Sequence, residues 1–148
     1  CEHIKKMKMK KIIVSSFVFL ALAACKKVEG QGGKGTISGK IMINQWSYID
    51  NVPNLEGSYA GAGEDVYIIY GTDDEIFDDK IECNFDGTFE IPFLRAGKYT
   101  IYGYNKVFHP GASATNNDDD YYTLEAVKTT VDLSKKETVD VGTITLKK

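Results

Sequence analysis

From Gly35 onward, apolar residues recur at alternate positions in short runs, and Gly, Asn, Asp and Pro separate the runs. No ten-residue window carries a helical period, so the pattern predicts strands and turns throughout. In the first run Ile37, Gly39, Ile41 and Ile43 share one face, while Thr36, Ser38, Lys40 and Met42 take the other. The run DVYIIYG, residues 65–71, is apolar on both faces and predicts a central strand. In KIECNFDGTFEIPFL, residues 80–94, Asp86-Gly87 stands between two alternating runs and predicts a hairpin closed by a tight type I′ turn. Ile81, Cys83 and Phe85 would then meet Phe89, Ile91 and Phe93 on one buried face. Pro92 has no N–H to donate and would lie at a sheet edge or bulge.

Arg95-Ala96-Gly97 turns the chain into KYTIYGYN, where Tyr99 and Ile101 alternate with Thr100, Tyr102 and Tyr104. A polar loop over residues 106–120 follows, bearing Pro110, Gly111 and the run NNDDD. Closing strands are expected at about 126–133 and 138–146, with a bulge at Gly142 that reconciles Val139 and Val141 with Ile144 and Leu146. About seven short strands in a chain of this length call for two packed sheets, an Ig-like or transthyretin-like sandwich over residues 36–148.

Upstream the pattern changes. Lys8, Lys10 and Lys11 form a basic head, residues 12–24 an apolar stretch, and Leu22-Ala23-Ala24 lead into Cys25. That order is the organisation of a secretory signal, with Met7 or Met9 as the start and residues 1–6 as an upstream extension. The 13-residue apolar stretch is shorter than the roughly 20 residues a membrane-spanning helix needs. LAAC resembles the lipobox of bacterial lipoproteins, in which the thiol is acylated and the peptide is cut before the cysteine. An ordinary cleavage site or an uncleaved anchor are the competing readings, and only the lipobox gives all four residues a role. Two or more acyl chains hold a protein stably at a bilayer, which fits Cys25 as the point of lipid attachment. Residues 25–35, with four glycines after Lys27, read as a flexible tether.

Removing residues 1–24 removes five lysines and one glutamate, leaving 13 basic against 20 acidic residues, a net charge of −7. With Arg95 as the one arginine, no clustered basic surface for a nucleic-acid backbone is expected. After acylation of Cys25, Cys83 stands alone, so no intrachain disulfide can form; its place in an alternating strand predicts a buried structural thiol.

The segments GTISGKI, DVYIIYG, NFDGTFEIPFLRAGKYTIYGY and VDVGTITL together resemble the carboxypeptidase regulatory-like family of transthyretin-type β-sandwiches. Asp86, Gly87, Phe89, Ile91, Leu94, Gly97 and Tyr99 carry its most family-like element, and Cys83 departs from it where threonine is usual. The resemblance implies a small, lipid-anchored domain of the kind common among Bacteroidetes-type bacteria, at the outer membrane, without a catalytic centre of its own.

Chemistry is sparse. His109 is the one histidine after the leader, and no G-x-S-x-G, HExxH or H-x-x-E segment accompanies it. A small hydrolase using His109 is the alternative function from another class, and a pilin-like or adhesion subunit a third. Asp73, Asp74, Glu75, Asp78 and Asp79, and Asp118, Asp119 and Asp120, form two acidic loops that suit solvent better than a calcium site, since no EF-hand spacing is present. Trp46, Tyr48, Tyr59, Tyr121 and Tyr122 lie outside the clearest core alternation and could serve core packing or present rings to a sugar or protein. The expected function is a non-enzymatic envelope module without a cofactor. It would bind membrane lipid through Cys25 and a glycan or envelope protein through two long connections, residues 51–63 and 107–121.

Substituting Cys25 by serine is expected to abolish fatty-acid labelling and to release the domain from membrane fractions. Equal labelling of the variant would refute lipid attachment there.

Overall fold

A computed structural model of the chain describes residues 28–72, 76–111 and 119–148, and these build an all-β, two-sheet sandwich. Cys25 and the rest of the leader lie outside the described residues, as do Asp73, Asp74, Glu75 and Asp118. Eight strands follow in order: β1 (Gln31–Ile49), β2 (Val52–Ala60), β3 (Asp65–Tyr70), β4 (Asp79–Glu82), β5 (Thr88–Leu94), β6 (Gly97–His109), β7 (Tyr121–Leu133) and β8 (Thr138–Lys147).

The first sheet is organised by β1. β5 and β2 pair antiparallel with successive halves of one of its edges, and β8 pairs parallel with the other edge. The second sheet has the order β4-β3-β6-β7, antiparallel throughout. Ile37, Ile41, Ile43, Phe89, Ile91, Leu94, Ile144 and Leu146 from the first sheet meet Val66, Ile68, Tyr99, Ile101, Val131 and Leu133 from the second in one core.

Besides the polar loop expected over 106–120, which shortens because β6 runs to His109 and β7 already begins at Tyr121, four sequence expectations change. Residues 51–63 are mostly strand: Asp50 and Asn51, with φ of 51° and 63°, form a two-residue turn and β2 runs back along β1. β2 carries no apolar alternation because it lies at an edge; backbone pairing holds it, aided by Ser58–Asn44 (2.6 Å) and Tyr59–Gln45 (3.1 Å) hydrogen bonds. Asp86-Gly87 is a turn but not a hairpin between paired strands, since β4 belongs to the second sheet and β5 to the first. Only Gly87 has positive φ there, the Gly87 N–H donates to Asn84 C=O at 2.9 Å, and Asp86 accepts from the Thr88 N–H and hydroxyl.

In consequence Phe85, in that turn, is 90% exposed rather than buried. Phe93 is exposed for a different reason: Gly35 faces Leu94 while Ile37 faces Ile91, so β5 holds one residue more than β1. Phe93, at φ 62°, absorbs the extra residue, and Leu94 takes the buried position instead. Pro92 lies in this edge-strand bulge, as expected. The bulge expected at Gly142 is also present, with φ of 76° and a register shift of β8 against β1.

The fourth change concerns the glycine run. Residues 31–35 belong to β1 and are not tether, and the glycines serve close approach: a Cβ on Gly33 would lie 1.9 Å from the Leu94 carbonyl oxygen. The Tyr99 hydroxyl completes the attachment, accepting from the Gly30 N–H at 2.9 Å and donating to Arg95 C=O at 2.8 Å. A tyrosine bonded back to the backbone four residues upstream at a strand entry is the tyrosine corner seen in other sandwiches.

Tyr99→Phe leaves those two backbone groups without the hydroxyl and is expected to cost about 1–3 kcal/mol in urea denaturation. Unchanged stability would show that the hydroxyl does not hold the N-terminal segment.

Candidate functional site

Strand alternation places the residues between core positions on the opposite face of the second sheet. Val66, Ile68, Tyr99 and Ile101 point into the core, so Tyr67, Tyr102 and Tyr104 point away from it. Tyr67 stacks on Tyr102 at 5.1 Å between ring centres, meets Tyr104 edge-on at 5.2 Å, and receives Phe77 at 4.9 Å. Offset stacks and edge contacts at such distances are the favourable ring geometries. Lys128 Nζ lies 5.7 Å from the Tyr102 ring centre.

The same face continues along β6 through Lys106 and Phe108, opposite Leu124 and Tyr122 of β7. Lys106 Nζ sits 4.1 Å over the Tyr122 ring, Phe108 lies 5.3 Å from Tyr122, and Tyr48, near the end of β1, stacks on Phe108 at 4.1 Å. Six residues of strand separate Tyr102 from Phe108, so the ring stripe is about 20 Å long. Tyr121, Tyr122 and Leu124 are exposed.

Between the cluster and the start of β3 opens a shallow cavity of about 360 Å³. Tyr67, Tyr104 and Leu124 supply its apolar wall, and Lys80–Asp65 and Lys148–Glu64, both at 2.8 Å, supply fixed charges. Asp65 also accepts from the Tyr67 hydroxyl at 3.2 Å. A second cavity, on the outer surface of the first sheet, is lined by Ser38, Lys40, Thr88, Glu90, Asp140 and Thr143, with Phe89 as its one ring.

Burial pushes the Tyr102 phenol up to about 12, with the Tyr104 hydroxyl and Tyr67 adding to it. Tyr67 is raised by burial first and then by the Asp65 carboxylate. Tyr70 and Tyr99 are raised as well, burial being the largest cause in each. These phenols keep their protons at neutral pH, so they are neutral hydroxyls, and the charge on this face comes from Lys106, Lys128 and the flanking ion pairs.

His109 lies at the far end of β6, its Nε2 2.8 Å from Thr123 Oγ1 and its ring stacked on Tyr121 at 4.6 Å. Cys83 is buried, and its thiol is pushed up to about 11 by burial and by the nearby Glu64, Asp65 and Asp86 carboxylates. Asp78 accepts from the Tyr70 N–H and Asp120 from the Gly111 N–H, so both cap backbone in their loops. Among the described residues no group of three or more His, Cys, Asp or Glu gathers where it could hold a metal.

The sequence directed attention to connections 51–63 and 107–121. The structure brings together Tyr48, Tyr121 and Tyr122 near the far end but centres the ring stripe on strand faces. The signal for it was present in YTIYGYNKVF, which is aromatic or apolar on both parities of one strand.

No protein-family model matches the chain, and no curated protein sequence matches it. Among solved structures, the crystal structure of a Pseudomonas aeruginosa protein provisionally described as carbohydrate binding is similar over 86% of this chain and 94% of that one. The identity is 13% and the TM-score 0.45.

Cys83 and the tyrosines hold their protons more tightly folded than unfolded, so the unfolded chain ionises first and stability falls as pH rises. The Cys83 contribution is complete below its ordinary value of 9.0 and is lost towards about 11, and the tyrosines follow from 10.0 upward. The urea midpoint should therefore decline above about pH 9. Cys83→Ala should flatten the decline between pH 9 and 10, and a decline identical in both proteins would refute the assignment.

Proposed function

We propose that the chain is a lipid-anchored, non-enzymatic binding module of the cell envelope, held at the outer membrane through Cys25, and that its ligand is a saccharide chain of the surface. The ring stripe from Tyr67 to Tyr122 carries this reading, because its rings lie outside the cluster between the two sheets and, with Tyr102 buried among Tyr67 and Tyr104, the remaining rings line the outer face of the second sheet. Tyrosine rings offer large contact area at low conformational cost, since only two torsions are fixed on binding. The flanking Lys80–Asp65 and Lys148–Glu64 pairs provide donors and acceptors at the height of the rings, which suits hydroxyl-rich ligands. A narrow stripe beside a shallow cavity favours an extended glycan over a folded protein, whose contact would need roughly 800 Å² on this side. His109 lies outside the stripe, on the opposite parity of β6 from Phe108, stacked on Tyr121 and bonded to Thr123.

The test is a titration of the mature protein on a glycan array and on envelope polysaccharide. Tyr67→Ala and Tyr122→Ala should each weaken binding roughly fivefold or more, the effect of losing a ring contact of about 1 kcal/mol. His109→Ala should leave affinity within about twofold. Undiminished binding after loss of either ring would remove the stripe from the site, and His109-dependent consumption of the glycan would make the protein an enzyme.

A further inference from the structure

We propose that the end of the sandwich next to the anchor is a basic foot that binds the phosphates of anionic membrane lipids and lays the domain against the bilayer. The proposal rests on acylation of Cys25.

The chain is docked from Val28 onward, so the anchor joins the domain at a fixed point. Arg95 Nη1 donates to Val28 C=O at 3.3 Å, the Arg95 N–H donates to Gly30 C=O at 2.9 Å, and Tyr99 holds the Gly30 N–H. Cys25 lies three residues before Val28, and three residues reach at most about 10 Å. The headgroup layer on each side of a bilayer is about 5–7 Å deep. Whatever surrounds Val28 is therefore held within a few ångströms of the headgroup layer.

Four cations gather beside it, with Glu29 the next residue in the chain and Glu137 capping the Ser134 N–H in the β7–β8 turn. Lys34 from β1, Arg95 from the β5–β6 turn, and Lys135 and Lys136 from the β7–β8 turn line one cavity of about 460 Å³. No acidic residue lines it, although the mature chain carries 20 acids against 13 bases. The ion pairs among the described residues use Lys80, Lys98 and Lys148, so these four cations keep their charge for an external anion. Three chain segments from both sheets converge to make the cluster, and a mature chain of net charge −7 would otherwise be repelled by an anionic surface.

Two apolar side chains stand at the same end. Phe93 is 67% exposed at φ 62°, a backbone conformation that is costly for an aromatic residue and that turns the ring outward two residues before Arg95. Val28 is 65% exposed. Basic residues flanked by an exposed aromatic and an aliphatic side chain form the mixed surface that partitions into a headgroup layer. Each base near an anionic surface strengthens association roughly fivefold, enough to fix the orientation of a protein already held by its lipid.

The experiment uses the mature protein purified from membranes, with its acylation established by mass, in phosphatidylglycerol and in phosphatidylcholine vesicles. A membrane-impermeant amine reagent reads lysine accessibility. Lys34, Lys135 and Lys136 should react at least tenfold more slowly in the anionic vesicles than in the neutral ones, while Lys106 and Lys128 on the ring stripe react equally in both. The triple substitution Lys34→Gln, Lys135→Gln, Lys136→Gln should leave vesicle insertion intact and abolish the difference in digestion rate of the 93–97 turn between the two lipids. Equal lysine reactivity in an inserted, acylated protein overturns the foot and leaves the anchor standing. A protein of unacylated mass overturns both. Protection by inorganic phosphate alone, without vesicles, would make the cavity a site for a soluble anion and overturn the membrane assignment.

Discussion

β1 is hydrogen-bonded along both of its edges, and the architecture depends on that double pairing. Its 19 residues span about 60 Å, and they receive β5, β2 and β8 in overlapping registers. A strand shared in this way has no free N–H row over its middle, so Ile37, Ile41 and Ile43 can point to one core while the backbone is satisfied on both sides. The bulges at Phe93 and Gly142 are the adjustments that let β5 and β8 keep their apolar residues on the core face of that spine.

Close approach at the start of β1 extends the same constraint to the N-terminal segment. Gly33 against the Leu94 carbonyl and Gly35 against Leu133 permit contacts that any side chain would block. Tyr99 then ties Gly30 to the β5–β6 turn, so the strand that organises the first sheet is also fastened to the second. A glycine-rich sequence therefore produces rigidity here, because the missing side chains are replaced by backbone contact.

The two ends of the sandwich differ in chemistry. The end that holds Val28 collects Lys34, Arg95, Lys135 and Lys136, whereas the second sheet carries its rings away from that end, from Tyr67 to Tyr122. Long strands make this separation possible: β6 and β7 pair over thirteen positions, and their outward residues form a continuous surface without demands from the core. Tyr67 and Tyr102 on that surface resist ionisation chiefly because burial disfavours a phenolate there.

Alternation and turn residues determined much by themselves. An all-β chain, two sheets, the core positions of β1, β3 and β6, the buried Cys83, the Gly142 bulge and the edge position of Pro92 all follow from local pattern, because inward and outward residues differ in polarity within a single strand. Tertiary structure decided which strands are partners. The Asp86-Gly87 turn looks the same locally whether it returns a strand to its neighbour or passes it to the other sheet, and the parallel β1–β8 pair joins segments about a hundred residues apart. β2 was hidden because an edge strand exposed on both faces needs no apolar pattern, and Phe93 was misplaced because one inserted residue inverts every position after it. The glycines at residues 30–35 could not be told from a tether, since freedom and close packing demand the same absent side chain and only the neighbouring backbone distinguishes them.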